Sequence, residues 1–241
     1  MTALTSLLRS DAKQLYRDPM FALIFLTPCL LILFSRFGIP LIGDKLQLYF
    51  DWDWMHYRSL IISFFMLLIP LMNGIMTGFI MLDERDESII SYLSVTPLTK
   101  RGYFYYRLAI PMVFTLLGST LFFLFSSIDS PHIAVVILLV PMLMLSSAII
   151  TLLQAAFAAN KIEGLALSKG IGLIVFAPFI AYFLPLPWQI FASLLPMFWP
   201  AKLYLMGMEN PWTFILLWTA GIAYHLLFIK LLIKKFLIRA E

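Results

Sequence analysis

LIISFFMLLIPLMNGIMTGFIML, residues Leu60–Leu82, runs without a charge and passes directly into DERDESIISYLSVTPLTKRGYFYYR, residues Asp83–Arg107. An uncharged apolar run of about 18 or more residues is long enough to cross roughly 30 Å of hydrocarbon as a helix. Working outward, Met20–Ser35, Leu108–Ile128, Ile133–Ala159, Gly170–Leu186 and Pro211–Ile229 read the same way, the first and fourth of these being short. Backbone groups in lipid must be paired within the structure, which leaves helices or closed barrels. None of these runs alternates polar and apolar residues as barrel strands do. The expected fold is therefore all-α and integral to the membrane, with six transmembrane helices.

Composition supports this. The 241 residues are 62% hydrophobic and 12% charged, with a mean hydropathy of +0.94. A soluble domain carries about 25% charged residues, so a soluble class is excluded. Of the 17 Lys and Arg, Arg36, Lys45, Arg58 and Lys202 fall on pieces facing one side of the membrane. The other thirteen fall on the opposite side, which the positive-inside rule makes cytoplasmic. Both termini are then cytoplasmic in a multi-pass protein of the plasma membrane. The pI near 9.2 follows from this topology and implies no nucleic-acid partner.

The pieces between spans carry further expectations. In residues 1–19, Leu4, Leu7, Leu8, Leu15 and Tyr16 recur at helical spacing among Arg9, Lys13 and Arg17. That pattern fits an amphipathic interfacial helix ending near Pro19, favoured over an ordinary helical start to the first span. Residues 36–58 read as an outer loop with a belt of aromatic residues. Residues 187–210 hold Pro187, Pro196 and Pro200 and no charge before Lys202, so short helices re-entering the outer leaflet are expected. No linker interrupts residues 1–241, which read as a single transmembrane domain.

Signatures of enzymes are missing. There is no G-x-x-x-x-G-K-[ST], no H-E-x-x-H and no G-x-S-x-G, and Cys29 is alone, expected to pack as a small hydrophobe. Asp44, Asp51, Asp53 and His56 share the outer loop, where solvated charge beside interfacial aromatics is favoured over metal binding. No catalytic, cofactor-binding or metal site is expected in this chain. Within the spans, Asn73, Gln154 and His225 are the strongest polar residues. They serve either as interhelical hydrogen-bonding groups or as lining of a substrate path. A proton-coupled carrier would be expected to bury a carboxylate mid-membrane, and the span centres hold none.

The charged segment remains. Asp83, Glu84, Asp86 and Glu87 are expected to open a short helix, where acids suit the positive end of the dipole. Ile89, Ile90 and Leu93 give it an apolar stripe and Pro97 ends it. A connector needs no such stripe, whereas a helix docking into a partner's groove does.

Glu84–Thr99, ERDESIISYLSVTPLT, resembles the segment after the second span of type-2 ATP-binding-cassette (ABC) transporter permeases, whose usual form is close to E-R-E-x-G-T-L-E-x-L-L-x-T-P-[LV]-S. Glu84, Arg85, Leu93, Thr96 and Pro97 fit directly, Asp86, Ile90, Leu98 and Thr99 conservatively, and Ser88-Ile89 stands where Gly-Thr is usual. Asn160–Lys169, NKIEGLALSK, resembles the family's short cytoplasmic loop between the fourth and fifth spans. Within the family, the chain is similar to small bacterial multidrug and antibiotic exporters, including fluoroquinolone export permeases.

The resemblance implies a permease subunit that pairs with a second permease chain, identical or paralogous. A cytoplasmic ABC ATPase would bind ATP and Mg and drive export of a hydrophobic or amphipathic small molecule. It assigns ATPase coupling to Asp83, Glu84, Arg85, Asp86, Glu87, Ile89, Ile90, Leu93 and Pro97. Lys161, Glu163 and Lys169 become a secondary cytoplasmic contact. The alternatives are a motorless carrier or channel, and a membrane scaffold.

Overall fold

Internal backbone pairing makes every long apolar segment a helix. The computed structural model describes residues 19–87, 89, 99–126, 128–129 and 131–239. The helices are α1 (Pro19–Leu33), α2 (Ile39–Phe50), α3 (Arg58–Asp86), α4 (Thr99–Phe125), α5 (Ile133–Phe157) and α6 (Lys161–Gly172). They continue with α7 (Ala177–Phe183), α8 (Leu186–Ala192), α9 (Phe198–Met206) and α10 (Pro211–Arg239), and the described residues include no strand. Among them, six segments are long and apolar enough to cross a membrane: Leu26–Phe50, Trp54–Asp86, Gly102–Phe125, Ile133–Phe157, Lys161–Phe183 and Pro211–Phe236.

The centre of the bundle is the contact of α3 with α5. Gly74 and Gly78, one turn apart on α3, let the two backbones close together, as small residues do where no water drives helices to associate. A Cβ at Gly74 would lie 2.5 Å from Ile150 Cβ and 2.7 Å from the Ser147 carbonyl oxygen. The Thr151 hydroxyl donates to the Gly74 carbonyl at 3.1 Å across the same contact. Around this pair, α4 and α10 pack on α5, α1 packs on α3 and α4, and α6 packs on α3 and α5. The outer faces stay apolar, with Leu117 and Leu124 on α4 and Leu216 and Leu227 on α10 exposed. In a bilayer that is the solvent-facing surface.

Three expectations change. The first span does not stop at Ser35. Its helix continues through a π-helical turn, Phe34–Gly38, into α2 and reaches Phe50, so most of the expected outer loop is helical. The Ile39 amide bonds to the Phe34 carbonyl five residues back, and this widened turn accommodates Pro40 at the start of α2. The buried Trp54 ring then lies against Gly43, where a Cβ would meet Trp54 Nε1 at 2.3 Å.

Asn160–Lys169 is likewise no loop. Lys161–Lys169 forms most of α6, and the fifth span runs Lys161–Phe183 with a 3-10 turn at Leu173–Phe176. Cys29 is exposed on the outer face of α1 rather than packed inside. Residues 1–18, which carry the proposed interfacial helix, lie outside the described residues. In the expected re-entrant segment, α8 and α9 span 7 and 9 residues, too short to cross a bilayer.

The glycine contact makes a ranked prediction. Gly74→Ala drives Cβ into Ile150 Cβ and a backbone carbonyl, which cannot swing away, and is expected to cost about 1–3 kcal/mol. Gly78→Ala meets the Gln154 side chain and costs less. Thermal unfolding of the purified protein in detergent checks the order.

Candidate functional site

At 29 residues α3 is about 44 Å long, more than the roughly 30 Å of a hydrocarbon core, and its last turn is charged. That turn carries Asp83, Glu84, Arg85 and Asp86 and closes with the Glu87 amide donating to the Asp83 carbonyl at 2.9 Å. Acids at a helix C-terminus face the negative end of the dipole and need compensation from elsewhere. Each finds it on another helix.

Glu84 is 7% exposed and Arg107, on α4, is 1% exposed. Arg107 Nε donates to Glu84 Oε2 at 2.8 Å, Arg107 Nη2 donates to Glu84 Oε1, and the Tyr103 hydroxyl donates to Oε2. This is a two-pronged guanidinium–carboxylate pair, the geometry that makes such bonds strong. The Arg107 guanidinium also lies 5.8 Å and 5.5 Å from the Tyr103 and Tyr106 ring centres.

Asp83 accepts from Lys161 Nζ at 2.7 Å, and Asp86 accepts from the Lys161 backbone amide at 3.2 Å. The acids therefore do meet a positive helix end, that of α6. Asn160 caps that end by accepting from the Glu163 amide at 2.9 Å, while Glu163 accepts from the Ala159 amide at 2.7 Å. Arg85 points the other way. It donates to the Ala155 and Ala158 carbonyls at 2.7 and 2.9 Å, at the C-terminus of α5, and lies 5.3 Å from the Phe236 ring centre on α10. One run of four residues thus ties together α4, α5, α6 and α10.

The expected local geometry changes in one respect: Asp83, Glu84 and Asp86 lie in the last turn of α3. Glu84 is taken up by Arg107 and Tyr103, Asp83 and Arg85 are half-buried, and Asp86 and Glu87 are exposed. Ile89 packs against the apolar cluster of Tyr103, Phe104 and Phe236. Ile90, Leu93 and Pro97 lie outside the described residues. Lys161 is bound to Asp83, Glu163 caps α6, and Lys169 is exposed on that helix. Arg107 and Tyr103 were missed in the sequence, although a lone Arg at the edge of an apolar run, after a run of acids, was the available signal. The N-x-x-E capping spacing at Asn160–Glu163 was legible too.

Asn73, Gln154 and His225 are fully buried but sit at three separate interfaces. Asn73 donates to the Thr115 hydroxyl at 3.0 Å, and its carbonyl oxygen has no partner among the described residues. Both polar atoms of the Gln154 side chain are likewise without partners there, wedged between Gly78 and Gly164. His225 pairs with Ser146 at 2.9 Å and with the Gly221 carbonyl at 2.7 Å.

Toward the opposite end of the bundle lie two apolar cavities. One of about 510 Å³ between α4 and α5 is lined by Leu116, Phe123 and Ile137 with Asp129 at its edge. The other, about 390 Å³, is lined by Tyr57, Phe64, Phe65, Phe179 and Phe183. Asp129 accepts from the Tyr204 hydroxyl at 2.8 Å and from Ser59 at 3.3 Å, with Arg58 Nε at 3.6 Å. Burial, and then the charge of Asp129, raises the Tyr204 hydroxyl above its ordinary range, so it stays a donor.

Glu84→Gln leaves the Arg107 charge buried with a neutral partner and is expected to destabilise the protein by about 3–5 kcal/mol. The double change Glu84→Met with Arg107→Met removes both charges and should recover most of that loss. A double-mutant cycle on thermal unfolding measures the difference.

Residues 11–233 match the family described as "Fluoroquinolones export permease protein Rv2686c-like". The chain is 28% identical over 239 residues to "Fluoroquinolones export permease protein Rv2686c" of Mycobacterium tuberculosis (strain ATCC 25618 / H37Rv), covering 97% of this chain and 94% of the relative. The same values hold for "Fluoroquinolones export permease protein MT2760" of the CDC 1551 / Oshkosh strain. No solved structure matches. A bundle with six membrane-capable helices and this match over nearly its whole length lead to one conclusion: the chain belongs to the Rv2686c-like family of fluoroquinolones export permeases.

Proposed function

We propose that this chain is the membrane-spanning subunit of an ABC exporter for fluoroquinolone-like amphipathic drugs, powered by a separate cytoplasmic ATPase. The observation that carries this reading is the acidic end of α3, where one short run binds four other helices beside the exposed Asp86 and Glu87. A partner that moved residues 83–97 would move α4, α5, α6 and α10 with them. Family membership supports the export role and the drug class. The missing phosphate-binding loop supports a separate motor, on which ATP and Mg would bind.

In this reading residues 83–107 are the coupling segment, with its helix at Asp83–Leu93, and Lys161, Glu163 and Lys169 flank it. Both termini are cytoplasmic, and α8 and α9 re-enter the outer leaflet. Two permease chains, identical or paralogous, form the path, with Asn73, Gln154 and His225 as its polar points. ATP binding would shift the pair between inward- and outward-open states by favouring one arrangement of the coupling segments. The buried Glu84–Arg107 pair suits that task because it resists bending at the base of the segment.

Inside-out vesicles holding the chain and its co-purified ATPase test the proposal, with a fluorescent fluoroquinolone as cargo. Uptake is expected to require ATP. Leu93→Asp is expected to abolish both uptake and ATPase co-purification while leaving the amount of chain in the membrane unchanged. Uptake that persists without ATP and follows an imposed proton gradient would replace the motor with a carrier. No flux in any condition would make the chain a scaffold.

A further inference from the structure

A groove of about 430 Å³ lies between α8, α9 and the first turns of α10. It sits at the end of the bundle opposite Glu84, because the far end of α10 packs by Leu232 and Phe236 against Met81 and Tyr103. Its walls are held from several sides. Gln189 on α8 donates to the Ala181 and Leu184 carbonyls of the α7 end at 3.1 and 2.7 Å. Trp199 Nε1 on α9 donates to the Ser193 carbonyl at 2.9 Å, and the Tyr224 hydroxyl on α10 donates to the Leu194 carbonyl.

The lining is almost wholly apolar, with Phe198, Trp199, Met206 and Leu217 along it, and it includes one cation, Lys202. Among the described residues Lys202 has no hydrogen bond and no ion pair, and Glu209, the nearest acid in sequence, does not reach it. Gln189, 9% exposed, also faces the groove, and its side-chain oxygen has no partner there. Trp188 and Trp212 are exposed close by in the sequence, and such residues favour the headgroup level of a bilayer.

We propose that this groove is a binding site for a membrane phospholipid, with Lys202 pairing its phosphate and the apolar walls holding an acyl chain. The match is one of charge and shape. An unpaired ammonium stands on an otherwise apolar trough, and the bilayer supplies amphiphiles with an anionic head at that depth. This inference stands independently of any ATPase partner.

Purified protein is titrated with palmitoyl-oleoyl phosphatidylglycerol, and bound lipid is counted by native mass spectrometry. Lys202→Gln is expected to weaken binding about fivefold, as for loss of one lysine near a lipid surface. Lys202→Arg should keep it, and Lys45→Gln, which removes an exposed lysine of α2, should leave it unchanged. Leu217→Trp, which fills the groove while keeping Lys202, should also displace lipid. Unchanged binding by Lys202→Gln overturns the proposal, as does diacylglycerol competing as well as the phospholipid. Disulfide cross-linking of Ile190→Cys in a Cys29→Ser background between two copies in native membranes, with no lipid bound, would make the face a chain–chain interface instead.

Discussion

The close approach of α3 and α5 at Gly74 and Gly78 is the constraint on which the rest of this bundle depends. In lipid no hydrophobic force draws helices together, so association rests on contact area and on hydrogen bonds shielded from water. Two glycines one turn apart supply the first, and the Thr151 bond to the Gly74 carbonyl supplies the second. With that pair fixed, α4 and α10 share α5 as a common partner and α6 closes over the α3–α5 edge. Gln154 is held in the same crevice with its amide unpaired among the described residues, a polar group where an apolar one would pack at lower cost.

The second organising feature is where the charges go. The chain is poor in charge, and the charges of the α3 end are used at helix termini rather than along helix faces. Asp83 and Asp86 meet the capped start of α6, Arg85 meets the end of α5, and Glu84 meets Arg107 and Tyr103. Each contact pairs a charge with a dipole end or an opposite charge, so an acid run unfavourable for its own helix becomes favourable for the assembly. Such an arrangement also transmits displacement well. A buried two-pronged ion pair cannot stretch without exposing both charges to an apolar surrounding.

Family membership and this geometry bear on different parts of the functional question. The family gives drug export, and the geometry gives a mechanically linked cluster at one end with apolar cavities toward the other. Between them, the span centres offer hydrogen-bonding groups and no carboxylate.

By itself, the sequence determined the helical class, the six spans and the polar interior residues Asn73, Gln154 and His225. Those follow from the length and hydropathy of each run, which are local properties set by the cost of unpaired backbone in hydrocarbon. Span ends were less legible. Arg36, Gly38 and Pro40 read as a loop, yet a π-helical turn carries the helix through them, and Trp54 packing on Gly43 braces its far end. Tertiary structure alone decided that Asp83, Glu84 and Asp86 sit in the last turn of α3. Their preference for a positive dipole end is local, but the helix end that satisfies it, α6, is contributed by residues more than seventy positions away.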